Sequence, residues 1–390
     1  MKILFVINNF YSKGNGMAAS ARRTAKCLQA AGHEVRVLSG PNLEEPQPQP
    51  DFPLEEYKFP FFQPIIESLG FHYASSDKDM MTKAARWAEV IHLVEPLVLQ
   101  DKMIKIAESL GKPLTATYHI HPENITCHMG PLYFDKVLNG KILRSWVDLT
   151  FNHCAAVQCP TQNVYARLSR YNPKCRLDLF SNGVIPDTCI RPTNPPADYL
   201  DPERRLKVLY VGRLSKEKDQ FTLIEAMRHS RYARRIQLHF AGQGDAEKSI
   251  KRKAFKLYKD GVVAYEPIFS FEDRDGLRKL AAEADLCVHC ATIEVEGLSI
   301  MEAMQQGAVP VIARGRITGT SQFALDDRSV FPERDAKALA EKIDYWLSEP
   351  QQRWETGKLY ARQMEQYDIA RSVEKILAMF QYAISVQGGI

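Results

Sequence analysis

Short runs of aliphatic and β-branched residues alternate with longer stretches of helical periodicity from the first residue onward. The runs at 3–7, 34–38, 90–94, 114–119 and 155–159 are mostly apolar, as expected of strands covered on both faces of a parallel sheet. Between them, 17–31 and 98–110 carry helix formers, and each stops at a glycine, Gly32 or Gly111, placed where a left-handed residue closes a helix. Strand and helix in strict alternation predict a doubly wound α/β domain with helices on both faces of its sheet.

The alternation breaks at Ser181-Asn-Gly-Val-Ile-Pro186 and at the stretch 191–202, which holds Pro192, Pro195, Pro196 and Pro202 and reads as a linker by composition. A second series then begins, with strands expected at 206–212, 236–241, 262–265, 285–290 and 309–313. Beyond it, 336–347 and 351–386 are helical in pattern with Pro350 as the break, and the last helix is expected to pack back on the first domain. The resulting division is 1–182, a linker 183–203, a second domain 204–366 and a closing helix 367–390. Both domains read as Rossmann-like units facing a cleft. The segment 41–53, rich in Pro, Glu and Gln, reads as a flexible loop.

At 390 residues the chain exceeds the roughly 100 to 200 that one domain usually holds, which agrees with two units. Its 51 basic and 47 acidic side chains leave a net charge of +4, too little for the basic stripe of a nonspecific nucleic-acid binder. Eight cysteines without framework spacing fit reduced thiols, so a cytoplasmic location is expected. Cys287-Val-His-Cys290 lies in a strand pattern and has no second pair nearby, so it reads as packing rather than a metal site. The opening apolar run is a strand too short for a signal peptide, and no stretch reaches the about 20 apolar residues that cross a bilayer.

Gly14-Asn-Gly16 stands between the first strand and first helix, where glycine lets backbone amides approach an anion at the helix's positive end. The dinucleotide fingerprint is incomplete because position 19 is alanine, which weakens a nicotinamide or flavin reading. Gly212-Arg-Leu-Ser-Lys-Glu-Lys218 follows the first strand of the second series; Arg213 and Lys218 suit a leaving diphosphate, while Lys216 and Glu217 fit a solvated loop. In Glu294-Val-Glu-Gly-Leu-Ser-Ile-Met-Glu302, the residues Gly297, Leu298, Ser299 and Ile300 should open a helix whose amides bind phosphate. Glu294 and Glu302 then offer acceptors for sugar and ribose hydroxyls. His119, at a strand's carboxyl end before His121-Pro-Glu-Asn124, is placed to donate to a sugar hydroxyl or to developing charge. Asp273-Arg-Asp275 reads as a helix cap rather than a metal handle.

These residues resemble the retaining GT-B glycosyltransferases of family four, whose second domain carries GR-x-x-x-x-K, a pair of glutamates eight apart running into EAM-x-x-G-x-PV, and an NG-V turn. The counterparts are Gly212 to Lys218, Glu294 to Pro310 and Asn182-Gly-Val184, and the resemblance covers essentially the whole chain. It implies that Arg213 and Lys218 hold the donor diphosphate, Glu302 the ribose, and Glu294 with His119 the transferred sugar, with Gly16 approaching from the first domain. It further implies a nucleotide diphosphate sugar as donor, UDP-glucose above others, with no metal or other cofactor. The acceptor hydroxyl then attacks from the leaving-group face and a phosphate oxygen takes its proton. The family's usual EPFG reads Glu294-Val-Glu-Gly297 and the glycine after the lysine is Asp219, and both departures bear on sugar choice. His-Ile-His-Pro-Glu-Asn124 is similar to a motif of bacterial diacylglycerol glucosyltransferases and cell-envelope transferases, which implies a lipid or glycan acceptor.

The apolar stretch 59–71 and the basic residues Lys136, Lys141 and Arg144 could meet an anionic membrane peripherally, against the alternatives of core packing and a wet helix face. Two other classes share the scaffold's features: a nucleotide-sugar epimerase and a sugar-nucleotide-binding protein without turnover.

Overall fold

The computed structural model describes residues 1–12, 15–43, 48–58, 63, 72–127 and 135–387. It divides into two compact units, Met1–Gly183 with Ile369–Ile390, and Val184–Asp368. The apolar stretch 59–71 lies outside the described residues except for Gln63, as does Gly14.

In the first unit the strands are β1 (Lys2–Val6), β2 (Glu34–Ser39), β3 (Phe52–Pro53), β4 (Glu56–Tyr57), β5 (Tyr73–Ala74), β6 (Val90–Leu93), β7 (Leu114–Thr117), β8 (Ala156–Cys159) and β9 (Arg176–Leu179). Seven of them form a parallel sheet in the order β3-β2-β1-β6-β7-β8-β9, and β4 with β5 make a small antiparallel pair. Its core joins Ile3, Phe5, Val35, Val37 and Val90 to the helix Gly16–Ala30 and to the closing helix Ile369–Gln387, through Ile376, Met379, Phe380 and Ala383. The ends of the 41–53 stretch are tied down rather than loose. Asn42 and Gln49 exchange hydrogen bonds of 2.9 and 3.0 Å, Asp51 accepts from the Val37 amide at 2.9 Å, and Phe52 is buried.

The second unit holds β10 (Leu206–Val211), β11 (Ile236–Ala241), β12 (Ile268–Ser270), β13 (Leu286–His289), β14 (Ile293–Glu294), β15 (Val309–Arg314), β16 (Ile317–Thr318) and β17 (Val330–Pro332). The parallel sheet runs β12-β11-β10-β13-β15-β17, with β14 and β16 paired beside it. The strand expected at 262–265 is not there. Gly261, at φ +71°, ends the helix Glu247–Lys259, and the Val262 amide turns back to the Leu257 carbonyl at 3.0 Å, so this backbone closes a helix and the sheet is joined only at Ile268.

The stretch 184–203 belongs to the second unit and is anchored to it. Arg191 donates to the carbonyls of Ala282, Ala284 and Gly307, and its guanidinium stacks 5.1 Å from the Trp354 ring. The residues 351–386 form two helices, Pro350–Met364 and Ile369–Gln387, separated by the tight turn Glu365–Tyr367. Pro350 stands at the start of the first of these, where its missing N–H costs nothing.

Candidate functional site

In each unit the strand order reverses beside the first strand, between β10 and β13 in the second unit and between β1 and β6 in the first. Loops leaving those strands diverge and open a crevice at the carboxyl ends.

In the second unit the loop after β10 is laced to its neighbours. Leu214 donates to Gln243 and accepts from Ala246, both at 2.9 Å, and the Gln220 side chain donates to the Arg213 carbonyl at 2.8 Å. Only glycine fits at 242: with φ +153°, a Cβ there would stand 2.0 Å from the Gly212 carbonyl oxygen. Arg213 and Lys218 are thereby fixed, and each meets a carboxylate. Arg213 bonds Glu217 at 2.5 Å, and Lys218 bonds Glu294. Glu217, which the sequence suggested as a solvated residue, is buried and also accepts from Ser215 at 2.7 Å. Burial raises its carboxyl, but Arg213 and Lys218 outweigh that and hold it below the ordinary range.

After β13, Thr292 returns to the same loop, its amide donating to the Glu217 carbonyl at 2.8 Å. Glu294 follows, and its Oε2 lies 3.3 Å from His289 Nε2 in addition to its bond with Lys218. Burial raises the Glu294 carboxyl, yet Lys218 and His289 together drive it well below the usual carboxylate range. Gly297, at φ +91°, caps the helix Leu298–Gln305, and a Cβ at that position would press on Thr320 at 2.8 Å. The helix carries no acidic residue in its first turn, and its leading amides lie ahead of any intrahelical acceptor. Ser299 spends its hydroxyl on the Val211 carbonyl at 3.1 Å. Glu302 sits half-buried in the same helix, one turn after its start, and Leu298 packs against the core.

In the first unit Gly16 is the first residue of the helix Gly16–Ala30, with space where a side chain would stand, and Asn15 caps the helix by accepting from Met17 at 3.0 Å. His119 follows β7 half-buried, and desolvation lowers its imidazole to about 4, so it is neutral at physiological pH. The remainder of His121-Pro-Glu-Asn124 is architectural. His121 lies 2.9 Å from the Tyr118 hydroxyl and 3.1 Å from Arg167, Glu123 pairs with Arg167 at 2.8 Å, and Asn124 accepts from the His121 amide at 2.8 Å. Asp273 caps the helix Arg274–Glu283 by accepting from Gly276 at 2.8 Å.

Residues 14–188 match the model described as Glycosyltransferase Family 4, and residues 194–364 match Glycosyl transferases group 1. The chain belongs to the GT-B glycosyltransferases of family four. Among curated proteins it is similar to the sulfoquinovosyl transferase of Arabidopsis thaliana, at 24% identity over 338 residues and 81% of this chain, and it spans 60% of that relative's length. Among solved structures it is similar to sucrose-phosphate synthase from Thermosynechococcus elongatus, with a TM-score of 0.71 at 18% identity over 98% of this chain and 100% of the other. Anabaena HepE, solved with UDP and glucose, gives 0.67 at 18% identity over 97% and 98% of the two chains. As a GT-B glycosyltransferase, the chain carries its paired cations and carboxylates at the switch point of the second unit. Sequence reasoning missed Glu217, Gly242, Thr292 and His289 there; the last stood in plain view inside Cys287-Val-His-Cys290, read only as a strand.

Proposed function

We propose that this glycosyltransferase moves a hexose, glucose above others, from a UDP-sugar to a lipid or glycan acceptor with retention of configuration, in the making of a cell-envelope glycolipid or polysaccharide. The observation that carries this reading is the meeting of Arg213, Lys218, Glu294 and the leading turn of Leu298–Gln305 at the carboxyl ends of β10 and β13. Arg213 and Lys218 take the diphosphate together with the amides of Gly297, Leu298 and Ser299, Glu302 takes the ribose diol, and Glu294 takes the sugar hydroxyls. Negative charge that builds on the departing phosphate is met by those cations and the helix end, which leaves no need for a divalent ion. His119 and Gly16, on the first unit, act on the sugar and the donor. A phosphate oxygen of the leaving group accepts the acceptor's proton. The complexes of HepE with UDP and glucose, and the glycosyl transfer named for the Arabidopsis relative, support the choice of donor and reaction class.

Among the described residues no helix is long and apolar enough to cross a membrane. Contact with a lipid acceptor is proposed to be peripheral. Lys136 and Lys141 stand exposed on the helix Lys136–Leu149, while Arg144 is drawn onto the Tyr171 ring at 4.8 Å and its carbonyl at 2.9 Å.

The test is calorimetry with UDP and UDP-glucose, then mass spectrometry and proton NMR of products from lipid and glycan acceptors in the presence of EDTA. Binding of UDP and an α-linked product support the reading. A β-linked product, dependence on a divalent ion, or release of an epimerised sugar nucleotide would each refute it.

A further inference from the structure

His289 closes β13 with its ring almost wholly inside the second unit, at 2% exposure. Its strand neighbours Leu286, Cys287 and Val288 are apolar and buried, and the position asks for nothing more polar. Among the described residues Nδ1 has no hydrogen-bond partner, so the ring is not held for full satisfaction of its own polar atoms. The polar contact it makes is from Nε2 to Glu294 Oε2, at 3.3 Å.

We propose that His289 is a positioning residue that fixes which oxygen of Glu294 is presented to the transferred sugar, and that it keeps that hold after Lys218 has turned to the donor diphosphate. This rests on the donor-site reading above. A neutral imidazole facing a carboxylate must carry its proton on Nε2, because a lone pair there would oppose the oxygen; Nδ1 is then a bare acceptor. Among the described residues, the side-chain donors to the Glu294 carboxylate, Lys218 and His289, both fall on Oε2. Oε1 is thus the oxygen left to accept from a sugar hydroxyl.

Lys218 has two claimants. It bonds Glu294 here, and the diphosphate would draw it away when the donor arrives. Glu294 then keeps a fixed aim only through His289, whose backbone is held in the parallel sheet by Ile312 of β15 opposite it. The imidazole matters little to nucleotide affinity and much to the step at the sugar carbon.

His289→Leu and His289→Gln in the full chain test this, with UDP affinity measured by calorimetry and turnover measured as UDP release from UDP-glucose. The glutamine amide reaches about as far as Nε2 and keeps an N–H donor. The expected result is a UDP Kd within about twofold of wild type for both variants, kcat lowered about tenfold or more in His289→Leu, and most of kcat restored in His289→Gln, one tenfold step in rate being about 1.4 kcal/mol of barrier. Wild-type turnover with an equally fast leucine variant overturns the proposal and leaves the donor reading intact. A glutamine variant as slow as leucine also overturns it. A wild-type chain that neither binds UDP nor turns over UDP-glucose removes both.

Discussion

The two units reverse strand order at equivalent places and put opposite electrostatics there. In the second unit the crevice beside β10 and β13 is ionic: Arg213 faces Glu217, and Lys218 with His289 faces Glu294, so both carboxyls are held low despite burial. In the first unit the crevice beside β1 and β6 holds one buried carboxyl, Glu95, gripped by neutral donors. The Asn8 amide and side chain approach at 2.5 and 2.6 Å and Gln100 at 3.4 Å, and burial still wins, raising Glu95 above its ordinary range. The shared fold supplies a place where loops diverge. Among the described residues, the second unit sets Arg213 and Lys218 against carboxylates at that place, whereas in the first Arg22 is turned to the Phe10 and Ser12 carbonyls and Glu95 is left to amide donors.

The comparison breaks most visibly at Glu294. Glu294→Ala removes the carboxylate proposed to accept from the sugar hydroxyls and frees Lys218, and turnover of UDP-glucose should fall about 100-fold or more with UDP affinity changed far less, read from kcat and calorimetry side by side. Next comes Arg213→Ala, which loses the proposed charged contact to phosphate and strips buried Glu217 of its guanidinium; UDP should bind about ten- to a hundredfold more weakly, a difference of about 1.5 to 3 kcal/mol. An unchanged Kd would take the diphosphate away from this loop.

Acid sharpens the contrast. Glu294 and Glu217 have depressed folded pKa values, so the stability they contribute is present above about 4.5, the unfolded value, and is lost as pH falls below it. Glu95 has a raised value, so its contribution is complete below about 4.5 and fades as pH climbs through the folded value. Thermal melts across pH 4 to 8 should therefore show Glu95→Gln gaining on wild type toward neutrality, while Glu294→Gln compares worst at neutrality and recovers relative to wild type in acid. Parallel curves would mean the two carboxyls are not set apart as their surroundings indicate. The smallest effect is expected at Ser299→Ala, which forfeits the bond to Val211 and about 1 kcal/mol of stability, seen as a lower Tm with UDP affinity nearly intact.

Much of this was legible beforehand. Strands such as Val90–Leu93 and Ile236–Ala241 announce themselves because a strand buried on both faces must be apolar throughout, and Gly32 and Gly111, at φ +85° and +60°, close helices at the positions their sequence marks. Val262 and Val263 misled because β-branched residues suit a strand, whereas the preceding Gly261 had already committed that backbone to a helix terminus. The strand Val330–Pro332 is too short to set itself apart, and the edge strand Arg176–Leu179 lacks the apolar density that would distinguish it from a loop. At the site, Arg213, Lys218, Glu294 and Gly297 stood out in the sequence by their places just after strands, and the structure brings Lys218 onto Glu294. Glu217 and His289 did not, since the same letters serve equally well in solvent, and only burial distinguishes the two uses.

The closing helix Ile369–Gln387 supplies Ile376, Met379 and Phe380 to the core of the first unit, although the whole of the second unit separates it in sequence from the strands it covers. On the ribosome this order has a cost in time. The first unit emerges early but stays without part of its interior until the final helix is translated, while the second has its sheet and helices complete beforehand. The half of the molecule made first is therefore the half that finishes folding last, and a nascent chain stalled before residue 369 would carry the exposed apolar faces of Val90 and Phe5 as a target for chaperones.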